Sequence, residues 1–141
     1  MSKPLLVEKW VYTGAAFALN HPLSQKLGAV WCVVAWLAIS AAVPLVGAFM
    51  LPWDRLTPVS VTDYLTLGAM LLLGLLLFLN NLLGILALIG RHPIARWCVW
   101  LNLIVTFPLS IPLMFYWADG VKPNLIYAHR FETLVPLDET S

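Results

Sequence analysis

The side chains of this chain with the most reactive chemistry are three histidines and two cysteines, His21, His92, His129, Cys32 and Cys98. Imidazole is a common metal ligand and titrates near neutrality. The sequence has no CxxC and no zinc-type spacing, and no histidine lies within an apolar stretch, where a buried haem would need its ligand. We therefore predict no metal site, and we interpret the histidines as interfacial residues at helix beginnings and the cysteines as small packing residues.

Catalytic patterns are absent from the sequence. It contains no paired carboxylates near an apolar stretch, no Ser-His-Asp set, no HExxH and no glycine-rich phosphate loop. We predict that the chain is not an enzyme by itself and has no cofactor of its own, although a bound lipid or quinone is compatible with its composition. A net charge of +1 without a basic cluster excludes nucleic acid as an expected partner.

Three asparagines, Asn80, Asn81 and Asn102, are the candidate ligand-binding residues. Counted from the short connection between their helices at 1.5 Å per residue, Asn80 and Asn102 lie at similar depths, about 16 and 13 Å. Two interpretations stay open. The amides form a site for a polar head such as a quinone carbonyl or a small solute, or they link helices by hydrogen bonds.

The elements that position these residues are three apolar stretches, 27–51, 64–90 and 97–118, which contain no Asp, Glu, Lys, Arg or His. A hydrocarbon core of about 30 Å needs about 20 apolar residues in a helix, and the whole chain is 61% hydrophobic. We predict an all-α integral membrane protein with three transmembrane helices. The head, 1–26, is cytoplasmic or forms a short interfacial helix, and 119–141 is an outer tail.

The distribution of basic residues predicts the orientation. Lys3, Lys9 and Lys26 precede the first stretch, Arg91 and Arg96 lie between the second and third, and the other three are Arg55, Lys122 and Arg130. Cytoplasmic segments carry the excess of Lys and Arg. We therefore expect a cytoplasmic N-terminus and an outer C-terminus, in a bacterial cytoplasmic (inner) membrane.

Small and polar residues predict the packing faces. On the third helix such residues recur every four positions, at Cys98, Asn102, Thr106 and Ser110, and on the second helix Gly74, Asn81 and Gly84 share a face. Membrane helices pack through small residues and polar links. We expect these faces to contact protein, either within the chain or in a partner.

Prolines interrupt two of the predicted helices, at Pro44, Pro108 and Pro112. Each removes a backbone donor and favours a kink. Neighbouring Ser and Thr hydroxyls can bind the freed carbonyls. We favour a fixed bend in the third helix, and a functional hinge is the alternative.

The tail is too apolar for a solvated segment and too short to span a membrane. Tyr127 and Phe131 share one side if the segment is extended, so it can add to a sheet edge or lie in a groove of a partner. The alternative is a tail folded back on the membrane surface.

These features favour a non-catalytic accessory or anchor subunit of a larger membrane complex, of respiratory, transport or secretion type, whose partners are other membrane subunits and the lipid bilayer. The alternatives are a small homo-oligomeric transporter or channel and a small membrane regulator of a partner protein. The outline resembles that of the membrane-anchor subunits of succinate dehydrogenase and fumarate reductase. None of their haem or quinone motifs has a match here, so no site residue is transferred.

Overall fold

Two long antiparallel helices form the frame of the computed structural model, which describes residues 6–53, 57–58 and 60–136. Helix α3 covers Val30–Met50 and helix α4 covers Val61–Ile89. The stretches Pro22–Met50 and Val61–Ile89 are long and apolar enough to cross a bilayer, by length and composition alone. These helices correspond to the first two predicted spans.

The start of α4 is fixed by a capping box. Ser60 Oγ accepts a hydrogen bond from the Asp63 amide at 3.2 Å, and Asp63 Oδ2 accepts one from the Ser60 amide at 3.0 Å. This reciprocal pair satisfies two donors that the helix itself leaves unpaired. The helix therefore begins at Val61 rather than at the predicted Tyr64.

The third apolar stretch does not form one helix, and the prediction of a span over 97–118 is wrong. It contains α5, Ala95–Val105, and α6, Ile111–Asp119, separated by turns at 106–110. Pro108 has no N–H to continue the helical ladder. The hydroxyl of Thr106 donates to the Asn102 carbonyl at 2.9 Å, and the Ser110 hydroxyl donates to the Leu103 carbonyl at 2.5 Å.

The break reverses the chain, so α5 and α6 form a short helical hairpin. At 1.5 Å per residue α5 is about 16 Å long, roughly half of a hydrocarbon core. A second sharp turn follows α6, where a Cβ at Gly120 would overlap the Tyr116 carbonyl oxygen. Helix α7, Val121–Ala128, then packs back against the end of the frame from which α5 started.

The head and the tail pair with each other in a two-stranded antiparallel sheet. Strand β1 covers Leu6–Tyr12 and strand β2 covers Arg130–Pro136, with Leu6 opposite Pro136 and Tyr12 opposite Arg130. Two short helices, α1 (Ala15–Asn20) and α2 (Pro22–Gln25), connect β1 to α3. Both strands are rich in the β-branched and aromatic residues that suit a sheet.

This pairing corrects three predictions. The fold is mostly helical rather than all-α, and the first residues of the head form a strand rather than an interfacial helix. The tail lies beside the head, so the two cannot be on opposite sides of a membrane as predicted, because α6 returns the chain to its starting end. Residues 137–141, the last part of the predicted outer tail, lie outside the described residues.

The buried core lies where α5 and α7 cover the frame. It includes Val33 and Leu37 of α3, Leu88 of α4, Leu103 of α5 and Ile126 of α7. Farther along the frame, toward the α3–α4 connection, large apolar side chains of α3 and α4 are exposed. The molecule therefore has a packed end, which carries the sheet, and an open end formed by the frame alone.

A disulfide tests the sheet register. Because Lys9 is opposite Thr133, we expect Lys9→Cys combined with Thr133→Cys, in a background with Cys32 and Cys98 replaced, to form an intramolecular disulfide on mild oxidation. A mobility shift in non-reducing gels measures it. The control pair, Lys9→Cys with Thr57→Cys, joins opposite ends of the frame and is expected to stay reduced; a disulfide there, or none at 9 and 133, contradicts the fold.

Candidate functional site

A pair of buried amides links α4 to α5. Asn102 Nδ2 donates to Asn81 Oδ1 at 2.8 Å, and the two residues are only 3% and 2% exposed. Asn80, on the adjacent face, donates to the Cys98 carbonyl at 3.0 Å. The structure therefore brings all three candidate asparagines to the α4–α5 contact, with Asn81 as the direct partner of Asn102.

Gly84 allows α3 and α5 to approach α4 closely beside this pair. A Cβ on Gly84 would lie 3.1 Å from Leu37 Cδ1 and 3.2 Å from Cys98 Cβ, closer than a side chain fits without movement of its neighbours. At this level α3, α4 and α5 meet through one small residue, as membrane helices commonly do. Gly74 lies farther along α4, where its Cβ would contact Pro44 at 3.9 Å.

The small and polar residues that recur every four positions on the third apolar stretch face the interior of the protein. Cys98, Asn102 and Ser110 are buried, and Thr106 is half-buried. The two hydroxyls donate to backbone carbonyls of α5, as described for the break. These polar groups stabilise the chain reversal, and none of them lines the apolar groove between α3 and α4.

Three buried polar atoms have no hydrogen-bond partner within the described ranges: Asn102 Oδ1, Trp36 Nε1 and the Tyr116 hydroxyl. They comprise an acceptor, a donor and a group that can do both. Each can bind an ordered water or a polar head, which a buried polar atom normally requires. Sequence reasoning missed Trp36 and Tyr116. The sequence offered one signal for Trp36, because this residue lies within the first apolar stretch and away from the membrane interfaces where tryptophan concentrates.

The histidines lie in turns beside helices. His21 Nδ1 accepts a hydrogen bond from the Leu23 amide at 3.2 Å, and His92 Nδ1 accepts one from the Ile94 amide at 3.3 Å. Both histidines precede a proline, so the same local contact recurs at the start of α2, where His21 is the N-cap, and in the turn before α5. His129 follows α7 with a left-handed φ of 52°. No group of three metal-binding side chains occurs in the part of the chain that the structure describes.

The two aromatic residues proposed for partner docking are used within the chain. Tyr127 is 2% exposed, its hydroxyl donates to the Leu88 carbonyl at 2.7 Å, and its ring packs on Trp117 at a centroid distance of 5.3 Å. Phe131 is half-buried and its ring centroid lies 5.0 Å from that of His21. These contacts fix α7 and β2 against the packed end of the frame.

An apolar groove of about 590 Å³ opens between α3 and α4 at the open end of the frame. Its walls include the small residues Gly47, Ala48 and Gly74 together with Pro44 and Phe78. A Cβ on Gly47 would meet no atom within 4 Å. The groove offers apolar contact area and no charged group.

Comparisons with protein family models, with curated proteins and with solved structures found no match to this chain. The resemblance to respiratory anchor subunits depended on an outline of three spans, which the chain reversal does not support.

A double-mutant cycle tests the amide pair. Asn102→Leu leaves Asn81 without its buried partner, and we expect the free energy of unfolding to fall by about 1 to 3 kcal/mol. Asn81→Leu with Asn102→Leu removes both groups, so the combined loss should be less than the sum, with a coupling of about 0.6 to 1.7 kcal/mol. Denaturant titration in detergent measures this. Additive losses would show that the 2.8 Å contact contributes nothing.

Proposed function

We propose that this chain is an integral membrane protein that acts as a non-catalytic accessory or anchor subunit of a larger membrane complex. In this proposal α3 and α4 span the bilayer, and the α5–α6 hairpin enters it from one side and returns to that side. The sheet, α1, α2 and α7 lie in the cytoplasm.

Low burial of the long helices supports membrane insertion. The most apolar windows of Pro22–Met50 and Val61–Ile89 are only 28% and 22% buried. The core helix of a soluble protein would be mostly buried, and a soluble monomer rarely exposes so large a contiguous apolar surface. Bilayer lipid or another apolar partner would cover this surface.

The charge distribution supports the cytoplasmic assignment of the packed end. All lysines and arginines in the described part of the chain lie at this end: Lys9, Lys26, Arg91, Arg96, Lys122 and Arg130. The predicted outer tail had carried two of them. With the tail beside the head, the positive-inside rule favours one orientation more strongly than the sequence pattern did.

The subunit proposal depends mainly on the groove at the open end. A third helix that stops halfway leaves α3 and α4 without protein cover beyond the packed end, and small residues there form a cleft of about 590 Å³. Small-residue surfaces permit close helix approach in membranes. A transmembrane helix of a partner subunit fits this surface.

The transporter alternative receives less support. A conducting path needs polar side chains that face water or a neighbouring copy. The polar side chains of the third apolar stretch, Asn102, Thr106 and Ser110, instead take part in hydrogen bonds within one chain. A membrane regulator that uses the same groove is a variant of the subunit proposal, with a transient partner.

A glycine pair tests the docking surface. Gly47→Leu fills the groove without overlapping an atom of the chain, whereas Gly68→Leu places the same side chain on α4 outside the groove, also in open space. We expect Gly47→Leu to reduce co-purification of the partner subunit by about tenfold or more in mild detergent, and Gly68→Leu to leave it unchanged. Quantitative mass spectrometry of the purified complex measures both.

Three outcomes count against the proposal. Equal losses in the two variants would assign the effect to general helix perturbation. A wild-type chain that purifies alone would contradict the subunit role, and a stable complex that contains only copies of this chain would favour the homo-oligomeric alternative.

A further inference from the structure

Two cationic side chains from distant parts of the chain converge on the loop before α3. Arg91 Nη2 donates to the Gln25 carbonyl at 2.6 Å, and Lys122 Nζ donates to the Lys26 carbonyl at 3.3 Å. Because Gln25 and Lys26 are consecutive, both cations approach one short stretch of backbone. Lys26 itself carries a third positive charge on this stretch, and we call Lys26, Arg91 and Lys122 the cationic cluster.

The cluster has no carboxylate partner among the described residues, where none of its three side chains forms an ion pair. Arg91 and Lys122 are half-buried. An arginine carries five N–H donors and a lysine three, and each of these two side chains has one hydrogen-bonded carbonyl within the chain. Several charged donors are therefore left to bind an anion.

The backbone is arranged around these cations. Arg91 follows the end of α4 in a left-handed conformation with φ of 56°. The His92 amide donates to the Ala87 carbonyl and the Arg91 amide to the Leu88 carbonyl, the Schellman arrangement that usually has glycine where Arg91 stands. An arginine here costs conformational energy that glycine would not, and such strain accumulates at functional positions.

The end of the Lys122 side chain lies beside a second left-handed backbone position. Gly28 has a φ of 54°, and a Cβ at that position would lie 2.6 Å from Lys122 Nζ. The left-handed φ favours glycine at position 28, and the flexible end of Lys122 lies directly beside it. The Tyr127 hydroxyl of α7 and the Arg91 amide both donate to the Leu88 carbonyl, so the α4–α5 turn lies against α7.

The surroundings of the cluster are those of a membrane interface. Trp31 in the first turn of α3 and Trp97 in the first turn of α5 are 53% and 73% exposed. Tryptophan concentrates at the headgroup level of bilayers. The cluster therefore lies at the depth of lipid phosphates if α3 and α4 span the membrane.

We infer that the cationic cluster binds the phosphate of an anionic phospholipid from the cytoplasmic leaflet. The inference depends on the membrane placement proposed above. The guanidinium of Arg91 and the ammonium groups of Lys26 and Lys122 match phosphate oxygens in charge and hydrogen bonding. Basic pockets between transmembrane helices on the cytoplasmic side recognise anionic headgroups in this way. The bound lipid would join the α4–α5 turn, the loop before α3 and α7.

The test uses native mass spectrometry of the purified full chain titrated with phosphatidylglycerol or phosphatidylcholine. We expect the wild type to bind phosphatidylglycerol about tenfold more tightly, a difference of about 1.4 kcal/mol. Arg91→Gly with Lys122→Gln should abolish this preference. Arg91→Gly suits the left-handed backbone, so lost binding in this variant does not follow from a misfolded turn, and circular dichroism verifies the helix content.

Two further variants serve as controls. Arg91→Lys keeps the charge and should retain the preference for phosphatidylglycerol. Lys9→Gln with Arg130→Gln removes two charges from the same end of the molecule, on exposed strand positions, and should also retain it.

Several results would overturn the inference. These are equal binding of the two lipids by the wild type, an unchanged preference in the Arg91→Gly, Lys122→Gln variant, or an equal loss in the Lys9→Gln, Arg130→Gln control. Displacement of the lipid by millimolar inorganic phosphate would identify a soluble phosphate as the ligand instead. Failure of the proposed membrane placement can be distinguished from failure of lipid binding. A chain that does not insert is extracted from membranes by alkaline carbonate.

Discussion

Pro108 cannot donate a backbone hydrogen bond, and the turn built around it determines where the rest of the chain lies. In an apolar environment every freed carbonyl needs a partner from within the protein. Here the Leu103 carbonyl accepts from the Ser110 hydroxyl and the Ile104 carbonyl from the Phe107 amide, while the Thr106 hydroxyl adds a second bond to the Asn102 carbonyl. The turn is thereby stable in surroundings that exclude water, and α6 returns to the end of the frame where α5 began. The pairing of β1 with β2, the location of α7 and the charge asymmetry all depend on this reversal.

The reversal also divides the frame into two halves with different packing. At the packed end, Asn81 and Asn102 form a buried hydrogen bond one helical turn from Gly84, where three helices make close contact. At the open end, α3 and α4 are left without a third helix and the groove lies between them. One half of the molecule therefore supplies the stability, and the other half supplies the surface on which the proposed partner docks.

The sequence predicted the two long helices well, because charge-free stretches longer than 20 residues give a strong and local signal. It did not predict the reversal. The hydropathy of residues 97–118 contains no information on chain direction, and Pro108 and Pro112 were interpreted as the cause of a bend. The pairing of residues 6–12 with 130–136 was also missed, since contacts between distant segments leave no local pattern. The sequence placed Asn81 on a packing face with Gly74 and Gly84 and placed Asn80 and Asn102 at similar depths, but it did not identify Asn81 as the direct partner of Asn102. The cationic cluster could not be found once head and tail had been assigned to opposite sides.

The chain reversal is tested by determining on which side of the membrane each end of the α5–α6 hairpin lies. Single cysteines at Ile94 and Asp119, both exposed, flank the hairpin and can be labelled with a membrane-impermeant thiol reagent in a background without Cys32 and Cys98. The reversal predicts that both positions react in inside-out vesicles and that neither reacts in right-side-out vesicles. Reaction of Ile94 from one side and of Asp119 from the other would show that the third apolar stretch crosses the membrane, and would contradict the account.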